Sequence, residues 1–276
     1  MTTSSDIAVY YSQGQLLDRL RAALNDDGVD PDHPTIETLA PYDQFHGRGL
    51  DATVEVASLV KASASDHLLD IGSGIGGPAR YFANQYGCRV TGIDLTPEFC
   101  EVARHLTRLL RLEDRVAFEL GDALAMPFAD ASFDGAYSMN VSMNIQDKAA
   151  LYRETHRVLK PGGWLVLSEL AKGEGELDYP TPWASSASTS FLWTPEQTRR
   201  GLEQAGFDVV QFHNKRDEAL AAGAHARAIV ASGGKPPHRA VMLIHGDSAN
   251  EAMANMSRGL TNAHVIPIEI LARKNQ

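Results

Sequence analysis

Residues 68–83 read LLDIGSGIGGPARYFA, and three signals meet there. Leu68, Leu69 and Ile71 form the short apolar run of a buried strand. Gly72, Gly74, Gly76 and Gly77 follow at once, with Ser73 among them, and Pro78 and Ala79 open an amphipathic stretch carrying Tyr81 and Phe82. The pattern predicts strand, tight turn and helix. Glycine in such a turn lets the backbone approach a ligand, and the unpaired N–H groups of the helix start point at it.

The spacing also satisfies the dinucleotide pattern G-x-G-x-x-G, which is weak alone. Asp94, in RVTGIDLTPEF, ends a second apolar strand about 20 residues on, where nucleotide folds hydrogen-bond ribose hydroxyls. Asp70 stands directly before the turn. A carboxylate there suits an ammonium group and would repel a pyrophosphate. That turns the reading from a dinucleotide towards S-adenosylmethionine.

With these residues in view the chain resembles the class I S-adenosylmethionine-dependent methyltransferases, of methyltransferase type 11, over most of its length. The ordered motifs are LLDIGSGIGG, VTGIDLT, ELGDALAMPFADASFDGAYS and RVLKPGGWLVLSE. The resemblance implies that Asp94, with Leu95 beside it, holds the ribose diol. It implies that Asp122, followed by Ala123, meets the adenine amino group. Gly72, Ser73, Gly74 and Gly76 are expected to line the methionine end near Asp70, with Gln44 and Asn140 as further cofactor contacts. The implied cofactor product is S-adenosylhomocysteine.

Composition narrows the partner class. The 276 residues are 43% hydrophobic and carry a net charge of −10, with a pI near 5.4. Such an acidic chain lacks the basic face that meets a phosphate backbone, so a nucleic-acid substrate is not expected. Cys88 and Cys100 have neither C-x-x-C nor metal-ligand spacing, and no metal site is expected. No apolar run reaches the ~18 residues of a membrane helix, and the start lacks a secretory pattern. A cytoplasmic enzyme without membrane partners is expected, with a homo-oligomer left open.

The expected architecture is α/β: a Rossmann-like, seven-stranded, mostly parallel sheet with helices on both faces. Residues 1–66 form an N-terminal helical cover, with helices over 15–24 and 52–62 and a proline-punctuated loop between them. Residues 67–276 form the methyltransferase domain, with a substrate-wall loop at 171–193 and a helical cap at 216–263 inserted before the last strand. Capping boxes are read at Thr194–Gln197 and Ser248–Glu251. Pro161-Gly162-Gly163 is read as the stop of the preceding helix.

Ligands of open α/β sheets sit beyond the carboxyl ends of the strands. After the fourth strand that position holds Asn140, Ser142, Met143 and Asn144, neutral groups with no strong base. His46, Glu169 and Asn144 are therefore the catalytic candidates. Tyr10, Tyr11, Trp183, Phe191 and Trp193 are the substrate-binding candidates, since aromatic faces hold cationic amines or apolar rings. The closer likeness, to bacterial sarcosine and dimethylglycine N-methyltransferases, leans the reading to N-methylation of a small amine. The alternatives are O- or C-methylation of a natural product or quinone-like ring, an NAD-dependent oxidoreductase, and a non-catalytic S-adenosylmethionine-binding regulator.

Overall fold

The computed structural model describes Tyr11 and residues 14–275; Tyr10 lies outside the described residues. At its centre is a seven-stranded sheet in the order β3-β2-β1-β4-β5-β7-β6. The strands are β1 (His67–Ile71), β2 (Arg89–Asp94), β3 (Val116–Leu120), β4 (Phe133–Met139), β5 (Leu159–Lys172), β6 (Phe207–Asn214) and β7 (Val265–Lys274). β1 to β5 pair in parallel, and β7 runs antiparallel to β5 and β6. The order reverses at β1, with β2 on one side and β4 on the other, which makes the crevice beyond β1 and β4 the expected ligand site. The expected α/β architecture is the one observed.

Four helices pack the sheet as crossovers: α4 (Gly77–Tyr86), α5 (Pro97–Leu109), α6 (Lys148–Val158) and α7 (Pro195–Gln204). β1 is apolar because both of its faces are covered. Leu68 packs with Phe82 and Val90 in one core, and Leu69 with Leu165 and Ile270 in another. Asp147 caps α6 by accepting from the Ala150 amide at 2.8 Å, and Thr194 and Gln197 form the expected reciprocal box before α7.

Among residues 14–275 three short helices precede the sheet: α1 (Leu16–Asp26), α2 (Ile36–Asp43) and α3 (Leu50–Ser58). The second is a correction, because this stretch reads as loop from its prolines. Thr35 and Thr38 form a capping box, and Pro41 sits inside a helix of only 8 residues, where few hydrogen bonds exist for it to break. Two further readings change. Pro161-Gly162-Gly163 lies within β5, whose register with β4 shifts between Phe133 and Gly135. Ser248 does not cap the last helix, since its hydroxyl donates back to the His245 carbonyl.

The cover is joined to the sheet layer by a buried ion pair. Arg80 on α4 donates to Asp43 of α2 at 2.9 Å, and neither side chain is more than 2% exposed. Removing one partner of such a pair strands the other charge in the interior, which costs about 3–5 kcal/mol. Arg80→Met is therefore expected to lower unfolding stability by that amount in urea titration. The double variant with Asp43→Leu should recover most of the loss.

The insertion between β6 and β7 contains α8 (Arg216–Ala231), α9 (Ala240–His245) and α10 (Ala249–Thr261). α9 is held to the cover: the Arg239 amide donates to the Pro41 carbonyl at 2.7 Å, and Arg19 Nε donates to the Leu243 carbonyl at 3.0 Å. These contacts place the helices above the carboxyl ends of the strands. No described helix is long and apolar enough to cross a membrane.

Candidate active site

A cavity of about 1110 Å³ opens between the strand ends, the cover and the inserted helices. The glycine turn forms its floor. Gly72 and Gly76 have φ near +70° and +84°, a region that costs side chains strain. A Cβ at Gly72 would also collide with Val141, and one at Gly76 with Phe118. The turn can therefore lie flat against a ligand and against the next loop.

Asp94 closes the turn. Its Oδ2 accepts from the Gly74 amide and its Oδ1 from the Thr96 amide, both at 2.8 Å. Each oxygen keeps a second lone pair, and the half-buried carboxylate lines the cavity. Burial raises its pKa, and the backbone donors oppose that shift.

Asp70 sits in β1 between Gly92 and Tyr137 of the neighbouring strands. It is 2% exposed, and its Oδ2 has no hydrogen-bond partner. Burial pushes it up to about 8, with the nearby Tyr137 hydroxyl opposing the rise and the Asp94 charge adding to it. Ser73 Oγ is likewise buried and unpartnered beside it. Two orphaned polar groups at one end of a cavity are costly unless a ligand meets them.

Leu95, Asp122 and Ala123 line the same half of the cavity, and Asp122 Oδ1 accepts from the Leu124 amide at 2.9 Å. Asn140, oriented to suit its surroundings, donates to the Ser168 carbonyl and accepts from the Gly47 amide, each at 3.1 Å. Gly76 is the N-cap of α4, packed against Phe118 and Arg80. Gln44 is fully buried, with its side chain bonded to Asp43, Thr53 and His46. Neither Gly76 nor Gln44 is among the residues lining the cavity.

These residues have a recognisable relative. The methyltransferase-domain family model matches residues 69–167, the span from β1 to the middle of β5 that carries Asp70, Asp94 and Asp122. Residues 69–167 are therefore a methyltransferase domain. Its similarity to the methyltransferase GfsG of Streptomyces halstedii is 35% identity over 178 residues, covering 63% of this chain and 61% of that protein. With the O-methyltransferase resE of Aspergillus sclerotiorum it shares 29% identity over 221 residues, covering 78% and 80%. Its fold also resembles the crystal structure of the [4+2]-cyclase SpnF, with a TM-score of 0.69, 23% identity and coverage of 99% and 97%.

The family's cofactor is S-adenosylmethionine, and the residues present fit it. Asp70 offers an unpaired carboxylate oxygen to an ammonium group, Asp94 offers acceptors to a diol, and the glycine turn has no side chain in the way. Asp122 and Ala123 lie where the cavity continues past Asp94.

The catalytic candidates separate. Glu169 takes bonds from four donors: the hydroxyls of Ser138 and Ser142 and the amides of Val141 and Ser142, at 2.8 to 3.2 Å. Burial raises its pKa and these donors oppose the rise. It acts as the anchor of the loop after β4, which corrects its reading as a base. His46 is also held, with Nε2 against Gln44 Oε1 at 3.2 Å and Thr53 Oγ1 at 3.1 Å. Burial lowers it to about 3, too weak a base for proton abstraction near neutrality. Asn144 Nδ2 donates to the Tyr11 hydroxyl at 3.0 Å, which ties the cover to the end of β4.

Trp183 and Phe191 line the far half of the cavity with Met143, Leu170, Val241, Ile244, Met256 and Leu260. Trp193 does not line it. Its ring lies edge-on to Tyr152, with Lys148 Nζ 5.4 Å from its centroid, because α7 packs on it at Gly201. The sequence reading missed His238 and His245, which both line the cavity. Three histidines, His225, His238 and His245, within one inserted segment were the available signal.

Proposed function

We propose that this chain transfers the methyl group of S-adenosylmethionine to a hydroxyl on a bulky, apolar acceptor. The observation that carries the reading is the cavity. At about 1110 Å³ it is at the top of the roughly 300–1,000 Å³ range of ligand pockets, and the residues suited to the cofactor line only one half of it. Its half away from the glycine turn is walled by Met143, Leu170, Trp183, Ile244, Met256 and Leu260. Burial of an apolar acceptor there contributes about 25 cal/mol per Å².

The reading prefers a hydroxyl to the small amine because Glu169 at the end of β4 is saturated by four donors and Trp193 packs against α7 rather than on the cavity. The chain is similar to proteins named as O-methyltransferases, and also to ones named as C- and N-methyltransferases, so the comparisons leave the acceptor atom to the site itself.

Bound S-adenosylmethionine supplies a methyl group that is already electrophilic. The chain's own residues then have to align and enclose. Asp94 and Asp70 fix the ligand at the turn, Asn140 and Asn144 present neutral hydrogen-bonding groups at the end of β4, and the inserted helices exclude water. Such positioning contributes roughly 7–11 kcal/mol of the barrier. Resemblance to a cyclase shows that this fold does not dictate its chemistry. An S-adenosylhomocysteine release assay on bulky alcohols, phenols and small amines tests the reading. Turnover confined to the small amines would refute it.

Trp183 gives a residue-level check. Its ring forms part of the apolar wall and its Nε1 donates to Ser190 Oγ at 2.9 Å. Trp183→Ala is expected to raise the acceptor's KM by about tenfold, equivalent to about 1.4 kcal/mol, with cofactor affinity unchanged. A loss of thermal stability alone would make the residue scaffolding.

A further inference from the structure

We propose that His238, from the inserted helices, is the general base of the reaction and takes the acceptor hydroxyl's proton on Nδ1. The inference rests on the hydroxyl reading above. Oxygen acceptors such as alcohols are poor nucleophiles until the proton leaves; the loop after β4 offers the neutral Asn140, Ser142, Asn144 and Gln146, and its one acid, Asp147, is engaged as the cap of α6. The base has to come from elsewhere.

Among the described residues, His46, His225, His238 and His245 line the cavity. His46 has both nitrogens engaged, with Nδ1 on the Gly47 carbonyl and Nε2 on Gln44 and Thr53. His225 lies exposed on α8. His245 points Nε2 at the Pro182 carbonyl at 3.0 Å, and its ring rests 6.1 Å from that of Tyr11. His238 is the one held on the Gln44 backbone, next to the Gly47 whose amide meets Asn140 at the end of β4.

His238 Nε2 lies 2.7 Å from the Gln44 carbonyl oxygen. A carbonyl only accepts, so Nε2 carries the proton and Nδ1 keeps the basic lone pair. The Cβ, Cγ and Cδ2 edge packs on Gly49, so the Nδ1–Cε1 edge faces away from that backbone. Nδ1 forms no hydrogen bond with a described residue and is not among the buried unpartnered atoms. Burial lowers the pKa of the ring, which keeps it neutral with the Nδ1 lone pair unprotonated.

Its placement fits the role. The Gln44 backbone that holds His238 leads directly to Gly47, whose amide meets Asn140 at the end of β4. His238 therefore lines the cavity beside the backbone turn that meets the end of β4. In the step, the acceptor O–H bond breaks with its electron pair left on oxygen, and the Nδ1 lone pair forms the new N–H bond. The imidazolium formed keeps its Nε2–H on the Gln44 carbonyl, an arrangement that steadies both charge and orientation.

The test uses the full chain with S-adenosylhomocysteine and three bulky hydroxyl probes: 2-naphthol, geraniol and estradiol. In ¹⁵N-histidine NMR the expected result is a neutral His238 with the proton on Nε2, and an Nδ1 resonance that shifts as a probe saturates. His238→Gln keeps a donor for the Gln44 carbonyl. It is expected to cut methyl transfer to that probe by about 10²–10⁴-fold, the usual share of general-base catalysis, with S-adenosylhomocysteine affinity unchanged. A saturating probe that leaves Nδ1 unmoved, or a variant that turns over at the wild-type rate, overturns the assignment. Saturation by none of the three overturns the apolar-hydroxyl reading instead.

Discussion

Asp94→Ala is expected to weaken S-adenosylmethionine binding by at least about a hundredfold in calorimetry. Hydrogen bonds to a charged group contribute about 1.5–3 kcal/mol each, and Asp94 has a lone pair on each oxygen for a diol after satisfying Gly74 and Thr96. The substitution also releases those two amides, so the turn loses its clamp as well as its ligand contact. Asp94→Asn separates the effects: one carbonyl acceptor remains, and the loss should be smaller. Unchanged affinity in the alanine variant would remove Asp94 from the cofactor site.

The second large effect is a proton released on binding. Asp70 is pushed up to about 8 by burial and by Asp94, and its Oδ2 has no partner. In the ligand-free protein at neutral pH it is therefore mostly protonated. Pairing with an ammonium group favours the carboxylate form, so binding expels the proton. Affinity then rises with pH, by up to about tenfold per unit, and levels as the pH reaches the ligand-free pKa. Above that, the ligand's own α-amino group, with a pKa near 7.7–8.0, loses its charge and affinity falls. Calorimetry between about pH 6 and 6.5 in buffers of different ionisation enthalpy should find close to one proton released per ligand. Asp70→Asn should release none, and release by that variant equal to wild type would assign the proton to another group.

Much of this was legible because the nucleotide half of the fold is written in local patterns. The apolar run at Leu68–Ile71, the glycines after it and Asp94 at the end of β2 need only strand burial and turn chemistry to be read. The α2 helix was hidden because Pro41 suggests a break, while its cap is built from Thr35 and Thr38, a weaker box than the usual threonine with glutamate. Trp193 and Glu169 were misjudged for a different reason. Their types suit a site, but the packing of α7 and the amides at the end of β4 recruit them, and no local pattern reports a contact made across the fold.

The acceptor half is legible only in three dimensions. His238 meets the cover through a carbonyl 194 residues away in sequence. Its function comes from which nitrogen that carbonyl occupies, a fact that spacing does not carry. Met256 and Leu260, spaced as one face of a helix, line the cavity rather than a closed core.

The account is tested most directly by supplying S-adenosylmethionine labelled with ¹³C in its methyl group and determining where the label goes among bulky alcohols, phenols and small amines. The prediction is a product whose labelled carbon is bonded to oxygen on a bulky apolar acceptor, with one S-adenosylhomocysteine per product. Label on an amine nitrogen, or tight cofactor binding with the label never leaving it, would contradict the account.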